Sequence, residues 1–60
     1  MNLPKEPGIL MSFINMKLRD NYSSLEAMCE DLDLSLSETE EELKKAGLRY
    51  DSDLNQLKER

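Results

Sequence analysis

The feature that most constrains this chain is the apolar pattern of residues 25–47, LEAMCEDLDLSLSETEEELKKAG, which predicts two short helices joined by a tight turn. In the first half, apolar side chains recur at the i, i+3, i+4 and i+7 spacing of a core-facing helix, at Leu25, Met28, Cys29 and Leu32. The inward-facing positions of the second half are Leu36, Thr39, Leu43 and Ala46. Gly47 is the expected stop, because glycine accepts the left-handed conformation common at helix C-termini.

Serine residues predict where both helices begin. Ser23 is followed three residues later by Glu26, a capping box in which each side chain accepts from the other residue's free backbone N–H. We therefore predict Ser23 as the cap of a helix that ends near residues 32–33. The next helix begins at Ser35 or at Ser37, since glutamate follows three residues after each.

An earlier helix is predicted from Ile9 to about Arg19. It follows an extended lead-in over residues 1–7, and Pro7 suits its first turn because the missing N–H would have had no helical partner. Its predicted apolar face consists of Ile9, Leu10, Phe13, Ile14 and Leu18. Polar side chains at Ser12, Asn15, Lys17 and Arg19 are expected outside that face.

The C-terminal segment leaves two interpretations open. Residues 48–50 alternate as in a strand, and residues 51–53 have turn-forming side chains. With a return strand at 55–57 the segment forms a hairpin, which we favour. The alternative is a short helix capped by Ser52.

These elements predict a mainly α fold, a three-helix bundle with a helix-turn-helix-like core and a short C-terminal β-hairpin, as in a winged-helix domain. A single small helical domain covers residues 1–60, with the hairpin and tail over 48–60. In the helix-turn-helix frame, Cys29 is the small residue where the second helix crosses the first, and Leu34 is the apolar residue after the turn. We interpret Cys29 as a core residue rather than a reactive thiol.

The shortness of the chain limits how the fold can be stabilised. A domain of 60 residues buries only about 60% of the surface that its unfolded form exposes. Cys29 is the only cysteine and there is no histidine, so neither a disulfide nor a zinc site is expected. The lack of histidine also removes the commonest general base. We expect no enzyme activity, no catalytic residue and no cofactor, and self-association is one route to a larger core.

Residues 31–42, DLDLSLSETEEE, place oxygen-bearing side chains at the ligand positions of a calcium loop. Such a loop turns sharply at its sixth position, where glycine is required, and here that residue is Leu36. Leu32 and Leu34 would also have to leave the core. We therefore interpret the stretch as a turn followed by an acidic, capped helix, with no metal site.

The distribution of charge counts against DNA reading by this acidic helix. The net charge is −5, whereas residues 25–47 alone carry eight carboxylates and two lysines, a net −6, which leaves +1 for the remainder. A DNA reader presents basic and amide side chains to bases and phosphates, but this helix presents glutamates that phosphates repel. The acidic balance disfavours nucleic acid and anionic membranes alike. The apolar run 8–14 is too short to cross a bilayer, so a cytoplasmic location is expected.

Two functional hypotheses remain. In the first, the domain is a non-enzymatic protein-interaction or self-association module, and Glu38, Glu41 and Glu42 face a basic protein partner or a second copy of the domain. In the second, the domain is a DNA-binding regulator of the winged helix-turn-helix type that uses the wing and basic residues outside the acidic helix. Those basic residues are Lys17, Arg19, Arg49, Lys58 and Arg60.

Three segments, NLPKEP, SFINMKLRDNYSSLEAMCEDLDL and YDSDLNQL, resemble a family of short bacterial proteins, domain of unknown function family 4250. The resemblance covers nearly the entire chain. It implies a small bacterial cytosolic protein with no assigned activity, and it supplies no catalytic residues. Glu6 and Leu57 stand where family members have aspartate and an aromatic residue, which implies a weaker first cap and weaker packing of the tail.

Overall fold

The computed structural model describes residues 3–60 and shows three helices followed by a two-stranded antiparallel hairpin. The elements, in chain order, are α1 (Pro7–Asp20), α2 (Leu25–Asp31), α3 (Leu36–Lys45), β1 (Leu48–Asp51) and β2 (Gln56–Glu59). The predicted mainly α fold with a C-terminal hairpin is confirmed. The alternative, a short helix capped by Ser52, is wrong because the residues around this serine form the loop between β1 and β2.

Helix α1 begins at Pro7, and Glu6 caps it by accepting a hydrogen bond from the Ile9 N–H at 2.7 Å. Leu10, Ile14 and Leu18 are its buried residues, at i, i+4 and i+8. The prediction that Ile9 belongs to the core face is wrong, since this side chain is 59% exposed. It precedes Leu10 by one residue and so points about 100° away around the helix, outside the buried stripe.

The predicted cap of α2 is wrong by one residue. Ser24, not Ser23, is the N-cap, and its Oγ accepts from the Ala27 N–H at 3.0 Å. Only Ser23 has the capping-box spacing to Glu26, but serine is a favoured cap at either position and the observed helix begins one residue later, at Leu25. Glu26 remains in the first turn, where its charge complements the helix dipole.

The turn between α2 and α3 has the form expected of a helix-turn-helix unit. Asp33 adopts a left-handed conformation with φ of 58°, at a turn where glycine is common. The Leu34 N–H then donates to the Cys29 carbonyl at 2.7 Å and closes the end of α2. Ser35 caps α3 through the Glu38 N–H at 3.3 Å, which decides between the two predicted start points. Gly47, with φ of 75°, follows α3 as expected.

The core collects side chains from every helix and strand. Its buried apolar members are Leu10, Ile14, Leu18, Leu25, Met28, Cys29, Leu43, Leu48 and Leu57. Thr39 is buried beside them, and Leu32, Leu36 and Ala46 are partly buried against this cluster. Cys29 is 1% exposed, as its predicted core position requires.

The hairpin pairs Tyr50 with Leu57 and Leu48 with Glu59. The Oδ1 atom of Asp51 accepts from the N–H groups of Asp53 and Leu54, at 3.0 and 3.2 Å, which confirms the predicted turn role of Asp51. Because side chains alternate along a strand, Leu48, Tyr50 and Leu57 share the face that covers the helices.

Candidate functional site

The first candidate site lies on the N-terminal half of α3, and we call Glu38, Glu41 and Glu42 the acidic surface. They stand at i, i+3 and i+4, so the helix brings them to one side, and all three are exposed. The two ion pairs found within residues 3–60 join Arg19 to Asp20 and Lys58 to Asp51, and neither includes the acidic surface. Its role as a partner face stays a prediction.

A cleft of about 360 Å³ adjoins the acidic surface, between α3 and the segment that leads into α1. Glu38 and Glu42 line it together with the apolar side chains of Leu3, Leu10 and Leu34. The cleft therefore combines two carboxylates and one ammonium group, that of Lys5, with apolar side chains.

The basic residues proposed for DNA binding do not form one group. Arg19 and Asp20 are paired at 3.0 Å, and their hydrogen bond raises the pKa of the arginine and lowers the pKa of the aspartate. The ammonium group of Lys17 lies 5.7 Å from the centre of the Phe13 ring, a cation–π contact.

A smaller basic group forms where α3 meets the hairpin. Lys44, Arg49 and Arg60 line a cleft of about 320 Å³, and Glu40 contributes the one carboxylate among its lining residues. Lys58 is ion-paired with Asp51 at 3.2 Å instead. The structure therefore brings together two of the predicted basic residues and adds Lys44.

Two asparagines carry contacts that the sequence patterns did not reveal. Asn15, expected outside the core face of α1, is half-buried and bonds to the backbone of Leu57 twice. Its Oδ1 accepts from the Leu57 N–H at 2.6 Å, and its Nδ2 donates to the Leu57 carbonyl at 3.3 Å. The side-chain amide thus takes the place of a neighbouring strand along the outer edge of β2.

Asn55 forms the second such anchor, from the hairpin loop to the end of α1. Its Nδ2 donates to the carbonyls of Leu18 and Tyr22, at 3.4 and 3.0 Å, and its Oδ1 accepts from the Tyr50 hydroxyl at 2.7 Å. The residue has φ of 52°, a left-handed conformation that asparagine accepts more readily than most residues. The two contacts with Leu18 and Tyr22 span more than thirty positions of the chain, so no local pattern predicts them.

The calcium-loop positions are helical from Leu36 onward, so residues 36–42 do not form a loop. The Asp31 carboxylate accepts from the Tyr22 hydroxyl at 2.6 Å, which raises the pKa of the tyrosine. Within the described part of the chain, no three Cys, Asp or Glu side chains are grouped so that they could hold a metal ion. No helix in residues 3–60 combines the length and apolar character needed to cross a membrane.

These observations define the class: a small helical domain with a helix-turn-helix-like α2–α3 unit, a C-terminal hairpin, and an acidic rather than basic third helix. The chain belongs to the DUF4250 family, described as a domain of unknown function, whose family model matches residues 4–57. Comparison with curated proteins gives no match, and comparison with solved structures gives none either.

Proposed function

We propose that this domain is a non-enzymatic protein-interaction module whose acidic surface binds a basic surface on a partner protein. The exposure of Glu38, Glu41 and Glu42 without an ion-pair partner in residues 3–60 is the observation that carries the proposal. Glu38 and Glu42 are like charges at i and i+4, an arrangement that costs a helix about 0.2–0.5 kcal/mol. Cations on a partner would turn this repulsion into attraction and would also accelerate association.

Charge reversal tests the proposal. The triple variant Glu38→Lys, Glu41→Lys, Glu42→Lys is compared with a control that reverses three exposed carboxylates elsewhere. The control residues are Glu30, Asp53 and Glu59. Both variants change the net charge equally, so only the position of the change differs.

The assay immobilises each protein and quantifies, by mass spectrometry, the proteins that it retains from an extract of its native cells. We expect a basic protein that the wild type and the control retain and the acidic-surface variant loses. Its retention should also fall as salt increases. If both variants retain the same proteins as the wild type, the acidic surface is not the binding face.

A second candidate function, DNA binding through the hairpin, is favoured by the group of Lys44, Arg49 and Arg60 along one cleft. Cations at a wing can contact phosphates without the recognition helix reading bases. A gel-shift titration with random duplex DNA at low salt tests it. If the domain binds DNA, the wild type should retard the duplex in the gel, and Arg49→Ala and Arg60→Ala should weaken this retardation. If the domain is only a protein-interaction module, the duplex should not be retarded.

A further inference from the structure

The outer edge of β1 has backbone groups that the hairpin itself cannot use. Asn15 engages both the N–H and the carbonyl of Leu57, so these groups point away from β1. In an antiparallel pair, the residue opposite then also points its N–H and carbonyl away from its partner strand. That residue is Tyr50. Among residues 3–60, no turn, loop or side-chain hydrogen bond involves the Tyr50 N–H.

The hairpin also places two positive charges opposite each other. Arg49 lies directly opposite Lys58, and like charges in this position destabilise a strand pair. Lys58 is neutralised by Asp51 at 3.2 Å, but neither ion pair of the described residues includes Arg49. The arginine is exposed.

We propose that a second copy of this chain pairs with β1 edge to edge, in an antiparallel and two-fold symmetric arrangement with Tyr50 opposite Tyr50 of the second copy. Each Tyr50 N–H donates to the Tyr50 carbonyl of the other copy. Arg49 then lies opposite Asp51 of the second copy, which supplies the carboxylate that its own chain does not. The two hairpins become one four-stranded sheet.

Electrostatics selects this register over its neighbours. A shift by two residues would place Arg49 opposite Arg49 of the second copy, with Cα atoms about 4.5 Å apart, and the like charges would repel. A shift by one residue would turn the apolar face of one hairpin toward the solvent face of the other. The register centred on Tyr50 avoids both penalties.

The hairpin would gain support from further strands. A cleft of about 320 Å³ separates β1 from α3, and Lys44 of α3 lines it together with Leu48, Arg49 and Tyr50. Two-stranded sheets are marginal in water, and a domain of this length has little core to support one. Pairing extends the sheet without using the acidic surface, so the inference is independent of the proposed function.

Amide hydrogen exchange on the wild-type protein tests the register directly. The Tyr50 amide should exchange rapidly at micromolar concentration and become at least tenfold slower at millimolar concentration, in step with doubling of the mass in sedimentation equilibrium. The amides of Arg49 and Asp51, which point toward β2, should be protected at both concentrations. A monomer at every concentration, with unchanged Tyr50 exchange, overturns the proposal.

Two variants with the same change of charge separate this edge from other routes to a dimer. Arg49→Glu places the introduced carboxylate opposite Asp51 of the second copy and should abolish dimerisation. Within the monomer, the introduced carboxylate lies opposite Lys58 and should stabilise the hairpin. Lys45→Glu, at an exposed lysine that does not line this cleft, should leave the dimer intact. A dimer that survives Arg49→Glu with rapid Tyr50 exchange uses another surface and refutes the inference. The acidic-surface variant should dimerise normally even if it loses its protein partner.

Discussion

Replacing Asn15 by alanine removes the side-chain amide that pairs with the outer edge of β2. Two hydrogen bonds are lost, the one that Oδ1 accepts from the Leu57 N–H at 2.6 Å and the one that Nδ2 donates to the Leu57 carbonyl at 3.3 Å. Both hydrogen bonds are partly buried. The Leu57 backbone then has to find water or remain without a partner.

The magnitude follows from these two bonds. A typical hydrogen bond contributes about 0.5–1.5 kcal/mol, and a backbone group left unsatisfied on burial costs about 1–3 kcal/mol. For a partly buried site we expect a loss of about 2–4 kcal/mol. A domain of this length has a total stability of about 3–9 kcal/mol, so the variant should be close to unfolding. The midpoint of thermal unfolding should fall by roughly 16–32 °C, at about 8 °C per kcal/mol for a domain of this length.

Urea unfolding followed by circular dichroism measures the effect. The matched control is Asn21→Ala, because Asn21 is exposed and only its backbone is hydrogen-bonded. We expect the control to change the free energy of unfolding by less than about 0.5 kcal/mol. If Asn15→Ala is equally mild, Asn15 does not anchor β2 and the reasoning about the strand edge fails with it.

A second variant, Asn15→Asp, tests the donor half of the contact. Its carboxylate can accept from the Leu57 N–H but faces the Leu57 carbonyl, so we expect a raised pKa for the introduced carboxyl in the folded state. Stability should then be highest below the unfolded pKa, where the protonated group donates, and should be lost as pH rises through the folded pKa. Stability that does not respond to acid in this way would show that the carbonyl has no need of a donor.

Three further predictions concern the cap, the loop and the turn. Ser24→Ala should lower the free energy of unfolding by about 1 kcal/mol, and Ser23→Ala should have little effect; a reversed order in urea unfolding contradicts the observed cap. Asn55→Gly should cost about 2 kcal/mol through its lost hydrogen bonds, and Asn55→Ala about 1 kcal/mol more because of its left-handed backbone; equal losses would remove the backbone argument. The pKa of Asp51 is lowered below its ordinary 3.8, first by the hydrogen bond from Lys58 and then by that from the Leu54 N–H. Ionised Asp51 therefore stabilises the fold fully above pH 3.8, and this contribution is lost as pH falls through the folded pKa. The stability difference between wild type and Asp51→Asn should therefore shrink in acid titrations, and a difference that stays constant would refute it.

The elements of this fold could be predicted because their signals are local. Ser35, one of the two predicted start points, caps α3, and Gly47 follows its end as predicted. Two adjacent cap residues leave the first residue of a helix uncertain by one position. Ser23 and Ser24 are both favoured cap residues, and the capping-box spacing to Glu26 points to Ser23, whereas the helix is capped by Ser24.

The contacts that join the elements could not be predicted, because they depend on pairs of residues far apart in the chain. Asn15 and Leu57 are separated by 42 positions, and the asparagine carries no mark of its partner. An asparagine on the rim of an amphipathic helix is normally a solvated residue. It becomes an anchor here only because the hairpin ends with a backbone edge beside α1. The acidic surface was easier to find, since helical spacing alone brings Glu38, Glu41 and Glu42 together.

In α3, the residues that hold the helix in the fold differ from those of the acidic surface. Thr39 and Leu43 hold the helix to the core, and Ser35 fixes its start. The side chains of the acidic surface lie outside the core. Glu38 in the first turn complements the helix dipole, but its repulsion from Glu42 opposes helix formation. A helix-turn-helix frame does not decide function, because the outward side chains determine which surface can approach. In this domain those side chains repel phosphate and attract cations, and for this reason we propose a basic protein surface as the partner of the position that reads DNA in other proteins.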